Sequence, residues 1–278
     1  MRVSAIILPI VLAFAGVHQA SAADYASAAD YAFAADYAGV AEYMPVADYA
    51  PATDYAALSD FLPAPRKQPV RVLRFTDYRS GPVMDWLKGK GFVFAKDVEH
   101  PDAVRLKADD KGLVIEAKRN AFGVMLNETM KVSDFREVEI DWGVEGFPEG
   151  ASYEKGVLNE AVAVQFFLGD ERIPSGVLFV PDTPYFISLF LCRDSDRTNH
   201  PYVGNYFKDA GRYVCADRPA RGKLVTSRFN LRDAYRSYFG KWDDTSPKVT
   251  GIGVSLDTRD SGDEGKSQAF VREIRFYK

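Results

Sequence analysis

The chain has 278 residues, 47% of them hydrophobic and 27% charged, with a formal net charge of −4. This is ordinary globular composition. Seven acids and no Lys or Arg lie between Ala23 and Ala64, so the rest of the chain is close to neutral. Such a body excludes nucleic-acid binding built on clustered Lys and Arg.

The first segment, MRVSAIILPIVLAFAGVHQASA, has one early base, Arg2, then an apolar run, then Ala20-Ser21-Ala22. The run is shorter than the roughly 20 apolar residues that a spanning helix needs. Residues 1–22 are therefore expected to be a signal peptide with a small-residue cleavage site. No later run is long enough to span a membrane. The expected location is outside the cytoplasm, periplasmic or extracellular.

From Ala23 to Ala64 a six-residue phrase recurs seven times, as in ADYASA, ADYAFA and ADYAGV. On an α-helix six residues turn through about 600°, so the rings at Tyr25, Tyr31 and Tyr37 would form no stripe. On an extended or polyproline-type chain they would share one side. One acid per phrase and Pro45, Pro51, Pro63 and Pro65 argue against a packed element. Residues 23–68 are expected to be a largely disordered tether, a spacer or an adhesive tract with aromatic contact points.

Residues 69–278 read as one folded domain. Val70 to Phe75 starts a strand, and Ser80 is expected to cap a short helix bearing Val83 and Leu87. From Ala103 the chain becomes strand and turn. Val104-Arg-Leu106, Leu113-Val-Ile115 and Phe122 to Leu126 are strands. Val138, Ile140 and Trp142 alternate with Glu137, Glu139 and Asp141, which gives one buried and one wet face. Ala161 to Leu168, Gly176 to Val180, Tyr185 to Leu191, Tyr213 to Cys215, Leu224 to Phe229, Val249 to Leu256 and Phe270 to Tyr277 complete the set. One helix interrupts it: Asn230 caps, Leu231, Ala234, Tyr235 and Tyr238 share a face, and Gly240 stops it. About ten short strands with turns between them predict a mainly β fold, a two-sheet antiparallel β-sandwich of jelly-roll type with one or two short helices.

Three groups of residues carry the functional reading. Asp257, Asp260 and Asp263, with Glu264, crowd one loop, as hard oxygen ligands for calcium or as a solvated turn. No other cofactor is expected. Glu137, Glu139 and Asp141 alternate on one strand, as the carboxylates of a glycosidase or as a plain acidic face. Asp196, Asn199, His200, Tyr202 and Tyr206 mix polar and aromatic groups in one loop, as a sugar-binding rim or an ordinary surface loop. The only cysteines, Cys192 and Cys215, flank that loop; in an exported chain they read as a disulfide. No nucleophile elbow, phosphate loop or zinc-helix motif is present.

Phe229-Asn-Leu-Arg-Asp-Ala-Tyr-Arg-Ser-Tyr-Phe-Gly240, Pro247 to Gly262, Ile140 to Pro148 and Asn159 to Phe166 together resemble a bacterial family of exported domains. It is the domain-of-unknown-function family three-zero-four-seven. The resemblance covers roughly Arg71 to Lys278 and implies a sandwich fold in the cell envelope, without a known activity. Arg259 and Asp260 stand where that family has Asp and Asn. Three readings follow. The first is a non-catalytic binder of a glycan or other envelope polymer, the second an envelope glycoside hydrolase or lyase, and the third a structural protein that adheres through its tyrosine-rich repeats.

Overall fold

A computed structural model describes residues 68–175, 180–242, 247–262 and 264–278. The leader and the hexad tract lie outside the described residues, as do Asp263 and most of the predicted strand Gly176 to Val180. In chain order the elements are β1 (Arg71–Arg74), α1 (Val83–Gly89), β2 (Phe92–Lys96), β3 (Val104–Asp109), β4 (Gly112–Ala117), β5 (Phe122–Asn127), β6 (Glu137–Gly146), β7 (Glu160–Ile173), β8 (Thr183–Leu191), β9 (Pro201–Tyr202), β10 (Gly211–Asp217), β11 (Val225–Phe229), α2 (Leu231–Phe239), β12 (Val249–Asp257) and β13 (Ser267–Tyr277).

The strands form two stacked sheets, a β-sandwich. One has the order β11-β6-β13-β4-β3; the other runs β2-β5-β12-β7-β8-β10-β9. β13 organises the first sheet. It pairs with β6 along one edge, and its other edge takes β4 over its first half and β1 over its second. The β3–β4 hairpin turns where the Asp109 carboxylate accepts the Lys111 N–H. Gly112 closes the turn with φ 103°, and a Cβ there would sit 2.5 Å from the Val271 carbonyl oxygen of β13. Only glycine fits that positive φ and that close approach.

Between the sheets lies the core. Val138, Ile140, Trp142 and Val144 of β6 and Ile274 and Phe276 of β13 face Val162, Val164, Phe166 and Leu168 of β7 and Ile252, Val254 and Leu256 of β12. The alternation read on β6 is thus the pleat of a strand with one face on the core. Each such side chain contributes roughly 1.5–3 kcal/mol on burial. Trp142 is fully buried, and its indole N–H donates to the Ser227 hydroxyl at 2.8 Å. A buried indole donor without that partner would cost more than the hydrogen bond gains.

Helix α2 forms as its sequence dictates. The Asn230 side chain accepts the Asp233 N–H, Leu231, Ala234 and Tyr235 are buried, and Gly240 ends the helix at φ 65°. Its Tyr235 and Phe239 pack on Tyr185 of β8. At α1 the expectation needs correction. Pro82, not Ser80, holds the N-cap position, and no side chain caps the helix. Proline's fixed φ and missing N–H suit a helix start without a capping oxygen.

A second difference concerns strand direction. β8 and β10 pair in parallel, the one parallel strand pair among the described residues. A parallel neighbour requires a crossover rather than a hairpin. The segment between β8 and β10 supplies it, and Cys192–Cys215 ties its two ends with Cα atoms 5.6 Å apart. The disulfide read from the sequence is therefore present.

Candidate functional site

β7 is apolar on its core face and mixed on its outer face, which carries Glu160, Ala163, Gln165 and Phe167. The outer face of the seven-stranded sheet is half roofed by the segments before β7 and between β8 and β10. Tyr153 stacks on Phe190 at 4.4 Å between ring centres, and Phe207 packs edge-on to Phe186. The uncovered half is a pocket.

The strand register fixes its floor. Asp257 of β12 stands opposite Phe122 of β5 and Glu160 of β7. Ser255 stands between Val124 and Ala163, Gly253 between Leu126 and Gln165, and Gly251 beside Phe167. The outer face of β12 thus carries an acid at one end and small residues beyond it. The missing side chain at Gly253 lets Gln165 lie across the strand; a Cβ there would sit 2.5 Å from the Gln165 carbonyl oxygen. The Gln165 amide donates to the Ser255 hydroxyl at 3.3 Å.

A cavity of about 110 Å³ opens at the acid end, walled by Phe122, Phe167, Phe186, Tyr206, Phe207 and Tyr213. Polar groups join them: Gln165, Asn205, Thr183, Lys96 and Arg259. The Thr183 hydroxyl is buried and makes no hydrogen bond among the described residues. A second cavity, about 270 Å³, meets the first at Leu126 and Phe167 and is lined further on by Glu128, Lys131, Gly251 and Arg172. Two of the four non-glycine residues with positive φ among the described residues, Lys96 at 62° and Phe207 at 55°, line the first cavity. Such backbone costs on the order of 1–3 kcal/mol per residue and gathers at ligand sites.

At the end of the pocket lie two carboxyl groups. Glu160 is 5% exposed and accepts the Tyr153 hydroxyl at 2.9 Å. Asp257 is held at both oxygens by Arg259, whose Nε is 3.0 Å from Oδ1 and whose Nη2 is 2.5 Å from Oδ2. Burial pushes the Glu160 carboxyl well above the usual range, and the Asp257 charge pushes it further. Burial raises Asp257 too, but Arg259 opposes it. Two neighbouring buried carboxyls cannot both ionise cheaply. Burial, with the Glu160 charge next, likewise raises the Tyr153 and Tyr213 phenols. Arg259 also lies over the Phe122 ring at 4.6 Å.

The residues singled out by sequence divide among three places. Of the expected rim, Tyr206 lines the pocket. Asp196 is buried and accepts the Ser152 hydroxyl and the Glu154 N–H. Tyr202 donates to Glu154, and His200 lies 2.9 Å from Arg197, which binds Glu154 as well. Asn199 holds the left-handed region at φ 57° and donates its N–H to the Cys215 carbonyl oxygen. Asp196 and Tyr202 thus fasten the crossover to the Ser152–Glu154 turn, while His200 and Asn199 hold it to Arg197 and to β10. Of the calcium set, Asp257 and Asp260 line the pocket and Asp263 lies outside the described residues. No cluster of three His, Cys, Asp or Glu side chains suited to a metal occurs among the described residues.

Glu137, Glu139 and Asp141 sit on β6 in the other sheet, away from the pocket. The wet face expected there is corrected in one respect: Glu139 is only 7% exposed. It accepts from Arg228, Arg275 and Tyr277. Asp141 takes both Arg275 Nη atoms, at 2.7 and 2.8 Å, and the Thr226 hydroxyl at 2.7 Å. Burial pushes both carboxyls up, but these hydrogen bonds and charges outweigh it and hold both below the usual range. These contacts commit Glu139 and Asp141 to an ion-pair network that links β6 with β11 and β13. Sequence reasoning missed Glu160 and Arg259 as site residues. The one available signal was an acid opening the otherwise apolar run of β7.

The fold and this face define a two-sheet β-sandwich with an aromatic groove across its larger sheet. No family model matches the chain, and no curated protein matches it. Among solved structures the chain is similar to endoglucanase 3 of Trichoderma harzianum, from family GH12, at 11% identity over 74% of this chain and 96% of that one, TM-score 0.36. It is similar to a family 12 xyloglucanase from Bacillus licheniformis at 9% identity over 76% and 97%, TM-score 0.37. It is also similar to CBM28, a carbohydrate-binding module specific for non-crystalline cellulose, at 12% identity over 78% and 100%, TM-score 0.31.

Proposed function

We propose that the protein binds a carbohydrate chain on the outer face of its seven-stranded sheet. The observation that carries this reading is the pocket itself. Half-buried rings, Tyr206 and Phe122 foremost, stand beside amide and hydroxyl groups from Gln165, Asn205 and Thr183. Sugars present C–H faces that stack on rings and hydroxyls that pair with amides, so this mixture suits them better than a purely apolar ligand. The protein is an exported one of the cell envelope, as the leader, the disulfide and the resemblance of residues 71–278 suggest, and the hexad tract serves as its tether. Among the described residues no helix is long and apolar enough to cross a membrane. A glycan array probed with the full chain tests the binding; silence across neutral and acidic envelope glycans alike would sink it.

A second reading is cleavage of the bound chain, and one observation favours it: Glu160 and Asp257 are cross-strand partners at the pocket's end. Partners of this kind have Cβ atoms about 4.5–5.5 Å apart, close to the roughly 5 Å between the carboxyls of a retaining glycosidase. A neutral Glu160 would protonate the leaving oxygen as the glycosidic bond breaks. Asp257 would face the positive charge that develops on the ring, and water would complete the hydrolysis. Release of reducing sugar by the wild type and not by Glu160→Gln supports cleavage; binding without release leaves the protein a non-catalytic receptor.

A further inference from the structure

The two cavities belong to one trough, and its shape says what kind of chain it holds. We propose that the site takes an unbranched, extended polysaccharide lying along β12, with subsites in both cavities. The inference rests on the carbohydrate reading above and adds to it the form of the substrate.

Four observations carry it. First, the cavities are contiguous, since Leu126 and Phe167 line both. Second, the axis they share is a strand. Asp257 borders the first cavity and Gly251 the second, six residues apart on β12. At about 3.4 Å per residue that is about 20 Å of straight floor, room for several sugar rings end to end. Third, β12 turns Ser255, Gly253 and Gly251 outward between Val124 and Leu126 on one side and Gln165 and Phe167 on the other, and the Gln165 amide, lying over Gly253 and Ser255, is the polar floor of the middle of the trough. Glycine in a strand marks a bulge or a close approach: Gly253 makes room for Gln165, and Gly251 follows an irregularity in the β7 register. Gly251 keeps an ordinary φ, and a Cβ there would make only normal contacts, the nearest at 3.5 Å. A Cβ is therefore tolerated at this position, and glycine there keeps that end of the trough low. Fourth, the two ends differ in chemistry. The first is aromatic, with rings for stacking. The second is polar, lined by Glu128, Lys131, Asp170 and Arg172, groups that pair with hydroxyls.

A straight trough of this length discriminates by chain shape. Equatorially linked chains run flat and extended and lie along it. Coiled chains leave the floor after one or two rings, and a branch would strike the Phe167 or Leu126 wall.

The experiment is a titration of the full chain with cello-, xylo- and chito-oligosaccharide ladders, from disaccharide to hexasaccharide, and with a malto-oligosaccharide ladder as the coiled control. The expected result is an affinity that climbs at least tenfold from disaccharide to hexasaccharide on one extended ladder, with no climb on the malto series. Gly251→Val, which fits its strand, should cancel that climb, so that hexasaccharide binds like disaccharide; Arg172→Ala at the exposed rim should reduce it. A flat series on a ladder that does bind would overturn the trough while leaving the carbohydrate reading in place. A climb that Gly251→Val and Arg172→Ala both leave intact would overturn it too. Failure of every probe, on the array and on the ladders, would remove the reading beneath it.

Discussion

The two sheets each carry a pair of acids on the outer face, and their environments oppose each other. On β6, Glu139 and Asp141 are surrounded by Arg228, Arg275, Tyr277 and Thr226 and stay charged. On the facing ends of β7 and β12, Asp257 accepts three hydrogen bonds, all from its near neighbour Arg259, and Glu160 accepts one, from Tyr153, and burial pushes Glu160 well above the usual carboxylate range. The first pair is a closed ion-pair ladder that staples three strands. The second borders a pocket with capacity to spare. Acids that look alike in sequence thus part by where their donors come from, neighbouring strands for Glu139 and Asp141 and the adjoining loop for Asp257.

Four substitutions, with Asp141→Asn as a comparison for the last, sharpen that contrast in falling order of effect. Arg275→Met should cost about 3 kcal/mol of stability, because breaking a largely buried pair leaves Asp141 with one donor. Chemical denaturation reads it, and carbohydrate binding by the folded fraction should not change. Cys192→Ser should cost about 3 kcal/mol in the chain-entropy model and loosen the crossover that carries Tyr206, so stability and binding should fall together. If the melting temperature does not move, the disulfide is not what fastens the crossover.

Tyr206→Ala should weaken binding about tenfold, or about 1.4 kcal/mol, with little effect on melting, since the ring is only half-buried. Glu160→Gln has the smallest effect and the most specific one. A carboxyl with a raised folded pKa adds stability that is complete below its unfolded pKa and is lost as pH rises through the folded one. The variant has nothing to lose. Its stability relative to wild type should therefore climb as pH rises above the ordinary carboxylate range, whereas Asp141→Asn should lose its disadvantage as pH falls. Parallel pH profiles for wild type and Glu160→Gln would mean that Glu160 is charged after all.

Much of this fold is written in local pattern. The alternation of Val138, Ile140 and Trp142, the Asn230 cap and the Gly240 stop are short-range signals, and the structure realises each. The β8–β10 parallel pair and the two-residue β9 are not local, and no period in the chain announces them. The site was harder still. Glu160 and Asp257 are distant in sequence and meet only through the β7–β12 register. The loop holding Asp196, His200 and Tyr202 has a composition that suits a binding rim, yet most of those groups hold the loop in place. Composition reports which chemistry a segment owns; register decides whether it faces a ligand or a neighbour.

The most direct measurement is calorimetric titration of the full chain, as wild type, Tyr206→Ala and Arg275→Met, with the hexasaccharide that binds best. The account predicts that Tyr206→Ala loses about tenfold in affinity while Arg275→Met, though less stable, binds like wild type. Equal binding by Tyr206→Ala, or a loss confined to Arg275→Met, would put the ligand on the other sheet and contradict it.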